Sequence, residues 1–228
     1  MVRQVIKLEV KGRNIIKGIS FEGFRKICDI KLISEKLNSN NYEVFLVDNT
    51  RSYFGLEPNF DALQVIAEQI TSPITFGGGL RTFEHVNAAF NRGASRIYIN
   101  SAFEMSGISK LINKVQLTYG AQSIVGGLEV QSFDDLTPMF NGGRDYTSLN
   151  FNSKLNMYRD YKITELILTN ILADGTFTAN PKHYKILSET FDLNCIIGGG
   201  LTEFLDTSRE FSGSFLSSGA FKNAGLLP

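Results

Sequence analysis

The sequence predicts an α/β barrel, a closed ring of eight parallel strands each followed by a helix, on three observations: eight short apolar runs, helical spacing between them, and an internal repeat. The runs, rich in Val, Ile, Leu and Phe, lie at 4–10, 43–48, 73–76, 95–99, 122–128, 165–169, 193–197 and 213–217. Runs of that length and composition read as buried strands. Between most of them apolar residues recur at helical spacing, as in Asp61, Leu63, Ile66, Ala67 and Ile70, or Phe83, Val86, Ala89 and Phe90. Strand and helix in alternation imply a parallel sheet with right-handed crossovers. Nothing in the chain marks edge strands or a topological switch, so a TIM (β/α)8 barrel is expected over an open doubly wound sheet.

The third observation is the repeat. KLEV at Lys7–Val10 returns as GLEV at Gly127–Val130, PITFGGGLRTF from Pro73 as CIIGGGLTEF from Cys195, and YINSAF from Tyr98 as LSSGAF from Leu216. The three matches keep one order and an offset of about 120 residues, which indicates two duplicated half-barrels, about 1–120 and 121–228. At 228 residues the whole chain is expected to form one domain of this kind.

Composition narrows the function. Lys plus Arg and Asp plus Glu number 23 each, so no long-range field favours nucleic acid or an anionic membrane, and selectivity for an anion has to be local. There is no charged-then-apolar leader and no run long enough to span a bilayer, so a soluble, cytoplasmic protein is expected. Cys28 and Cys195 share no motif and read as buried free thiols. His85 and His183 are isolated from each other and from the cysteines, so neither a metal site nor a cofactor is expected.

The repeat also sets out the candidate site. A phosphate needs backbone N–H donors at close approach, and glycines between a strand and a helix N-terminus supply them. Gly77, Gly78 and Gly79 with Asn100 and Ser101 would form one cradle; Gly199, Gly200, Ser218 and Gly219 would form its counterpart across the barrel mouth. Two cradles suggest a ligand with a phosphate at each end, although such glycines can also serve only to turn the chain. Glu9 and Glu129 end the first and fifth strands and should face each other across the mouth. Paired carboxyl groups divide acid and base work when their surroundings push their pKa values apart, whereas a charge ending a strand can also be a solvated rim residue. Asp48 in FLVDNT reads as support, and Asp174 in ADGT as a ligand contact.

The runs VIKLEVKGRNIIKGISFEGFR, GGGLRT, YINSAF, ILTNILADGT and the second GGG, in register over nearly the whole chain, resemble the cyclase subunit of imidazole glycerol phosphate synthase. That resemblance implies a duplicated barrel in histidine biosynthesis that binds a bisphosphorylated ribulosyl formimino carboxamide ribotide. With ammonia from a glutaminase partner in a heterodimer, it makes imidazole glycerol phosphate and aminoimidazole carboxamide ribotide. The resemblance also implies that Glu9 is the base and Glu129 the acid, that Lys17 covers the substrate, and that Asp174, Gly175 and Thr176 belong to the loop after the sixth strand. It implies further that Arg3, Glu43, Arg96 and Glu165, each starting a predicted strand, form a ring of alternating charge gating ammonia where the glutaminase docks.

The departures from the family are specific. Both catalytic positions carry glutamate in place of aspartate, longer by one methylene. Leu172 stands at a second aspartate of the loop after the sixth strand, and Gly198 at a serine before the second glycine pair. The insertion after the fifth strand is short, and KNAGLLP after LSSGAF leaves little sequence for an eighth outer helix, whose loss would bare apolar surface. Two alternatives therefore stay open: a cyclase-like barrel in glutamine-dependent amidation of surface sugars, or a catalytically inactive phosphate-binding barrel.

Overall fold

The computed structural model describes residues 3–180, 193–205 and 212–227. His183 lies outside the described residues. Eight strands close a parallel TIM barrel: β1 (Arg3–Lys11), β4 (Glu43–Val47), β5 (Ile74–Gly77), β6 (Arg96–Ile99), β7 (Ile124–Val130), β10 (Glu165–Asn170), β11 (Asn194–Gly198) and β12 (Gly213–Ser217). Each pairs in parallel with the next, β10 with β7, and β12 closes the ring on β1. All eight predicted runs fall on these strands.

Alternation along the strands divides the core. Ile6, Leu8, Leu46, Phe76 and Ile97 face outward onto the helices, within the larger apolar cluster. Val5, Phe45, Tyr98, Val125, Ile167, Ile196 and Phe215 face inward and fill the barrel. Period-two side-chain direction requires this split, and burial on both faces is why the strands read as continuous apolar runs. Halfway up, Phe45 packs against Tyr98 with ring centroids 4.7 Å apart and against Phe215 at 6.4 Å. Gly77, Gly127 and Gly198 make room for this layer: a Cβ on Gly77 would lie 2.7 Å from Cδ1 of Tyr98, and one on Gly198 would strike the Phe215 ring. The sequence match sets Tyr98 against Leu216, but inside the barrel its counterpart is Phe215, with Leu216 facing out. The repeat is thus offset by one residue at the last strand.

The outer layer contains α1 (Lys31–Asn40), α3 (Phe60–Ala67), α4 (Phe83–Phe90), α5 (Ile108–Tyr119) and α6 (Phe151–Asp160). Leu63 and Ile66 of α3 and Val86 and Ala89 of α4 are buried, as the spacing predicts. Their N-termini are closed by side chains: Asn59 accepts from the Ala62 N–H at 3.3 Å, and Thr82 from that of His85 at 3.2 Å. No α-helix follows β12 among the described residues; a 3-10 turn over Ser218–Ala220 leads into turns that bury Phe221 and Leu226. Those two side chains cover apolar surface that an outer helix would otherwise shield. Cys28 and Cys195 are buried free thiols, as expected.

Two excursions were not expected from the apolar pattern. Between β1 and α1 the chain forms an antiparallel hairpin, β2 (Asn14–Ile19) and β3 (Glu22–Asp29), turning at Ser20 and Phe21 with positive φ of 50° and 62°. After β7 a second small antiparallel extension, β8 (Pro138–Phe140) and β9 (Asp145–Tyr146), takes up the short insertion. Both leave the same end of the barrel, where the strands finish.

Candidate active site

Glu9 and Glu129 stand near the C-terminal ends of β1 and β7, which lie four strands apart in a ring of eight, so the two carboxyl groups approach the mouth from opposite walls. They are 2 % and 4 % exposed; the β2–β3 hairpin and the loop after β10 close over Glu9 through Lys17 and Asp174, while Glu129 lines a small cavity with Asn100 and Gly142. These two covers are tied together. The Ser20 N–H donates to the Asp174 carbonyl at 2.8 Å, the Ser20 hydroxyl to that of Leu172 at 3.2 Å, and the Lys17 ammonium lies against the Asp174 carboxylate. Phe21, at the hairpin tip, is buried with Met139 and Ile171.

Identical residues in related positions acquire opposite character. Burial alone would raise Glu9, but Lys17 at 2.8 Å from Oε2 and Lys7 at 3.1 Å from Oε1 hold it down at about 2. Burial pushes Glu129 up to about 7, against the more distant charge of Lys7 and the Tyr98 hydroxyl at 3.2 Å and the Asn100 amide, because no cation among the described residues is hydrogen-bonded to it. Burial likewise raises Asp174, with the Glu9 charge adding to it against Lys7 and Lys17. Oε2 of Glu129, Oδ1 of Asn100 and Oδ1 of Asp174 are buried without a donor. The acceptors of Glu129 and Asn100 line one cavity, and stranded acceptors call for protons on the carboxyl groups or for N–H and O–H groups on a ligand. A proton on Glu129 near neutrality fits that demand.

The raised Glu129 carries a stability signature. A carboxyl whose folded pKa lies above its ordinary 4.5 stabilises the fold fully below that value, and the contribution is lost as pH rises through about 7. Glu9, held low, acts in the opposite sense, its contribution present above 4.5 and lost as pH falls toward 2. We therefore expect Glu129→Gln to gain stability relative to the wild type between pH 5 and pH 8, by on the order of 3 kcal/mol at the upper end. Chemical unfolding midpoints at the two pH values measure this, and parallel curves would contradict it.

The two glycine turns are matched in detail. Gly78 and Gly199 have φ of +99° and +106°, and a Cβ on either would strike the backbone at the end of the preceding barrel strand, at Asp48 and at Asn170 respectively. Turn geometry alone thus demands both glycines. Around the first turn, Gly78, Gly79, Asn100, Ser101 and Glu129 line one small cavity together with Tyr98, Asn49 and Ser52, and the Gly79 N–H is taken by the Ser52 hydroxyl at 3.2 Å. Around the second, Gly219 and Gly175 line a groove with Lys17 and Phe177, and the Ser218 hydroxyl donates to the Ile16 carbonyl at 2.8 Å. Thr176 spends its hydroxyl on the Ala173 carbonyl at 2.8 Å. Asp48 is fully buried, with its oxygens taken by Thr50, Arg51 and Asn59 at 2.6, 3.0 and 3.1 Å. These bonds tie it to Thr50 and Arg51 and to the Asn59 cap.

At the opposite end, Arg3, Glu43, Arg96 and Glu165 start β1, β4, β6 and β10 and close a four-membered ring. Arg3 donates to Glu43 at 2.6 and 2.7 Å and also to Glu165; Arg96 donates to Glu43 at 2.6 Å and to Glu165 at 2.9 Å. Each guanidinium bridges two carboxylates and each carboxylate two guanidiniums. Beside the ring opens a cavity of about 630 Å³ walled by Pro73, Phe90 and Tyr119.

Sequence reasoning missed Lys7 and Tyr98. Lys7 sits in an apolar run, and only the inward alternation of Val5, Lys7 and Glu9 signals that its side chain enters the barrel; Tyr98 opens a repeated motif whose polar end alone carries a phosphate signal.

The family described as histidine biosynthesis protein matches residues 8–217. The chain is similar to the imidazole glycerol phosphate synthase subunit HisF of Myxococcus xanthus, 28% identical over 201 residues that cover 87% of this chain and 79% of that one. It is similar also to the subunits of the same name from Helicobacter hepaticus, 28% identical over 207 residues (90% and 82%), and Clostridium beijerinckii, 29% over 210 (89% and 82%). With the family matched across nearly its whole length, this chain belongs to the histidine biosynthesis proteins and is a cyclase-like barrel within them.

Proposed function

We propose that this chain, acting as a single phosphoribosyl-binding domain, is an ammonia-dependent cyclase and lyase. It converts a bisphosphorylated ribulosyl formimino carboxamide ribotide to imidazole glycerol phosphate and aminoimidazole carboxamide ribotide, with a glutaminase subunit as its source of ammonia. The observation that carries this reading is the split pair on opposite walls of one closed site: at neutral pH Glu9 is an ionised carboxylate, a base once Lys17 withdraws from it, and Glu129 a carboxyl that still carries a proton to give. Paired groups with separated pKa values are what acid and base work needs. The two glycine turns, with Ser101 on one side and Ser218 and Gly219 on the other, hold the phosphates. Lys17, Asp174 and Gly175 close over the ligand between them.

Calorimetry tests the phosphate assignment. Asp at Ser101 or Gly219 puts a negative charge at a cradle without touching the turn glycines, whose replacement would disturb the backbone itself. Ser101→Asp and Gly219→Asp should each weaken binding of a bisphosphorylated sugar at least tenfold, a loss of about 1.4 kcal/mol per factor of ten. Unchanged affinity in both would remove the cradles from the site.

The charge ring is the docking face for the glutaminase and the entry for ammonia. Above it the route meets the layer of Phe45, Tyr98 and Phe215, so ammonia rising through the barrel has to displace these rings. This filled interior is the observation that favours the second reading, a related barrel in glutamine-dependent amidation of surface sugars or one that binds phosphates without turnover. Turnover of the cyclase substrate with ammonium salt separates the two readings.

A further inference from the structure

Two ammonium groups touch Glu9, and they come from elements with different freedom. Lys17 is borne by β2 in the covering hairpin and lies 2.8 Å from Oε2; Lys7 is borne by β1 of the barrel wall and lies 3.1 Å from Oε1. Glu9 is buried, with Lys17 of the hairpin and Asp174 of the loop after β10 closed over it, so no ligand reaches Glu9 unless this cover parts. Parting it separates Lys17 from Asp174, from Glu9, or from both. Lys7 does not share that fate. Its strand is flanked in register by Phe45 of β4 and Ser217 of β12, and its ammonium sits 5.5 Å from the Phe215 ring centre inside the barrel and 4.4 Å from that of Phe21 in the cover.

We propose that Lys7 is a positioning residue for Glu9, a wall-borne ammonium that stays on Oε1 while the cover opens and keeps the carboxylate charged and aimed as a ligand enters. The other groups facing Glu9 give Lys7 this importance. Asp174 of the loop after β10 and Glu129 of β7 are carboxyl groups that repel the Glu9 charge whenever they are ionised, and the amide of Asn49 at the start of the short helix α2 (Asn49–Tyr53) reaches Oε1 only at 3.5 Å. With Lys17 withdrawn and Lys7 absent, Glu9 would be a buried carboxyl among carboxyl groups, and it would take up a proton. The inference deepens the base and acid reading of the pair, but its test requires no turnover.

Titration of the glutamate side-chain carboxyl groups by carbon-13 NMR in the full chain reads Glu9 directly, in the wild type, Lys7→Met, Lys17→Met and the double variant. In Lys17→Met, which stands for the parted cover, Glu9 should remain ionised down to at least pH 5. Adding Lys7→Met should raise its midpoint by about 1 to 3 pH units, the usual effect of losing an opposite charge at this distance. A Glu9 midpoint that is the same with and without Lys7 in the Lys17→Met background overturns the proposal, because a residue that only packs would change stability and leave this titration in place. Should Lys7→Met fail to fold, Lys7→Met/Glu9→Gln decides: recovery of folding supports the pairing, and equal failure reduces Lys7 to packing and ends the proposal. If Glu9 follows Lys7 as expected while Glu9→Gln keeps full turnover, the acid and base reading falls and the positioning role stands.

Discussion

Glu9→Gln and Glu129→Gln should each lower turnover with ammonium salt by about a hundredfold to ten-thousandfold, the range that general acid or base assistance contributes. Substrate affinity should change far less, because the phosphates are held by the glycine turns on either side. The two variants should differ in their pH dependence. In the wild type Glu129 gives up its proton as pH passes about 7, so activity should fall on the alkaline side of that value. Glu129→Gln should lose this limb along with most of its rate; Glu9→Gln should keep the limb. The paired change Glu9→Asp/Glu129→Asp restores the family's shorter carboxylates. A rise in turnover on that change would mean that the added methylene has detuned the site, since a displacement of about 1 Å can cost about a hundredfold. Rate measurements across pH 5 to pH 9 check all of these, and full activity in both glutamine variants would remove the pair from the chemistry.

The second large effect belongs to the opposite face. Arg96 bridges Glu43 at 2.6 Å and Glu165 at 2.9 Å, so Arg96→Glu leaves three carboxylates around the single guanidinium of Arg3. Arg96→Glu also reverses a charge on the proposed docking face, where losing a buried charge partner typically costs about 2 kcal/mol or more, equivalent to about thirtyfold. Glutamine-dependent turnover of the complex should fall by at least that factor, while turnover with added ammonium salt, which bypasses the partner, stays near the wild-type rate. The comparison of the two nitrogen sources on one preparation is the measurement; equal loss with both would mean that the ring serves only to hold the strands.

Much of this architecture was legible in the sequence, for identifiable reasons. Strands buried on both faces leave continuous apolar runs, so all eight were visible, and duplication placed Glu9 with Glu129 and Gly78 with Gly199 before any coordinate was known. The charge ring was legible through the family resemblance, with which the position of Arg3, Glu43, Arg96 and Glu165 at strand starts agrees. The β2–β3 hairpin was hidden because it turns on Ser20 and Phe21, not on the Asn-Gly or Asp-Gly pair that ordinarily announces such a turn. Its strands are also mixed in polarity, since they cover the mouth and do not line the core. Lys7 was hidden by its setting, and so was the asymmetry of the two glutamates. Spacing makes Glu9 and Glu129 equivalent; the direct ion pairs that Lys7 and Lys17 make with Glu9, where Glu129 feels Lys7 only through space, set them apart. The one-residue offset that puts Phe215 opposite Tyr98 inside the barrel could not be read from a match that aligned Leu216 instead.

The central claim is that these two glutamates perform ammonia-dependent cyclisation in a closed, bisphosphate-binding barrel. Its most direct test is to supply the isolated barrel with the ribulosyl formimino carboxamide ribotide and ammonium salt near pH 7 and to follow release of aminoimidazole carboxamide ribotide. The account predicts release that saturates with substrate and drops by about a hundredfold or more in Glu9→Gln. Tight binding of the substrate with no release from the wild type would contradict it.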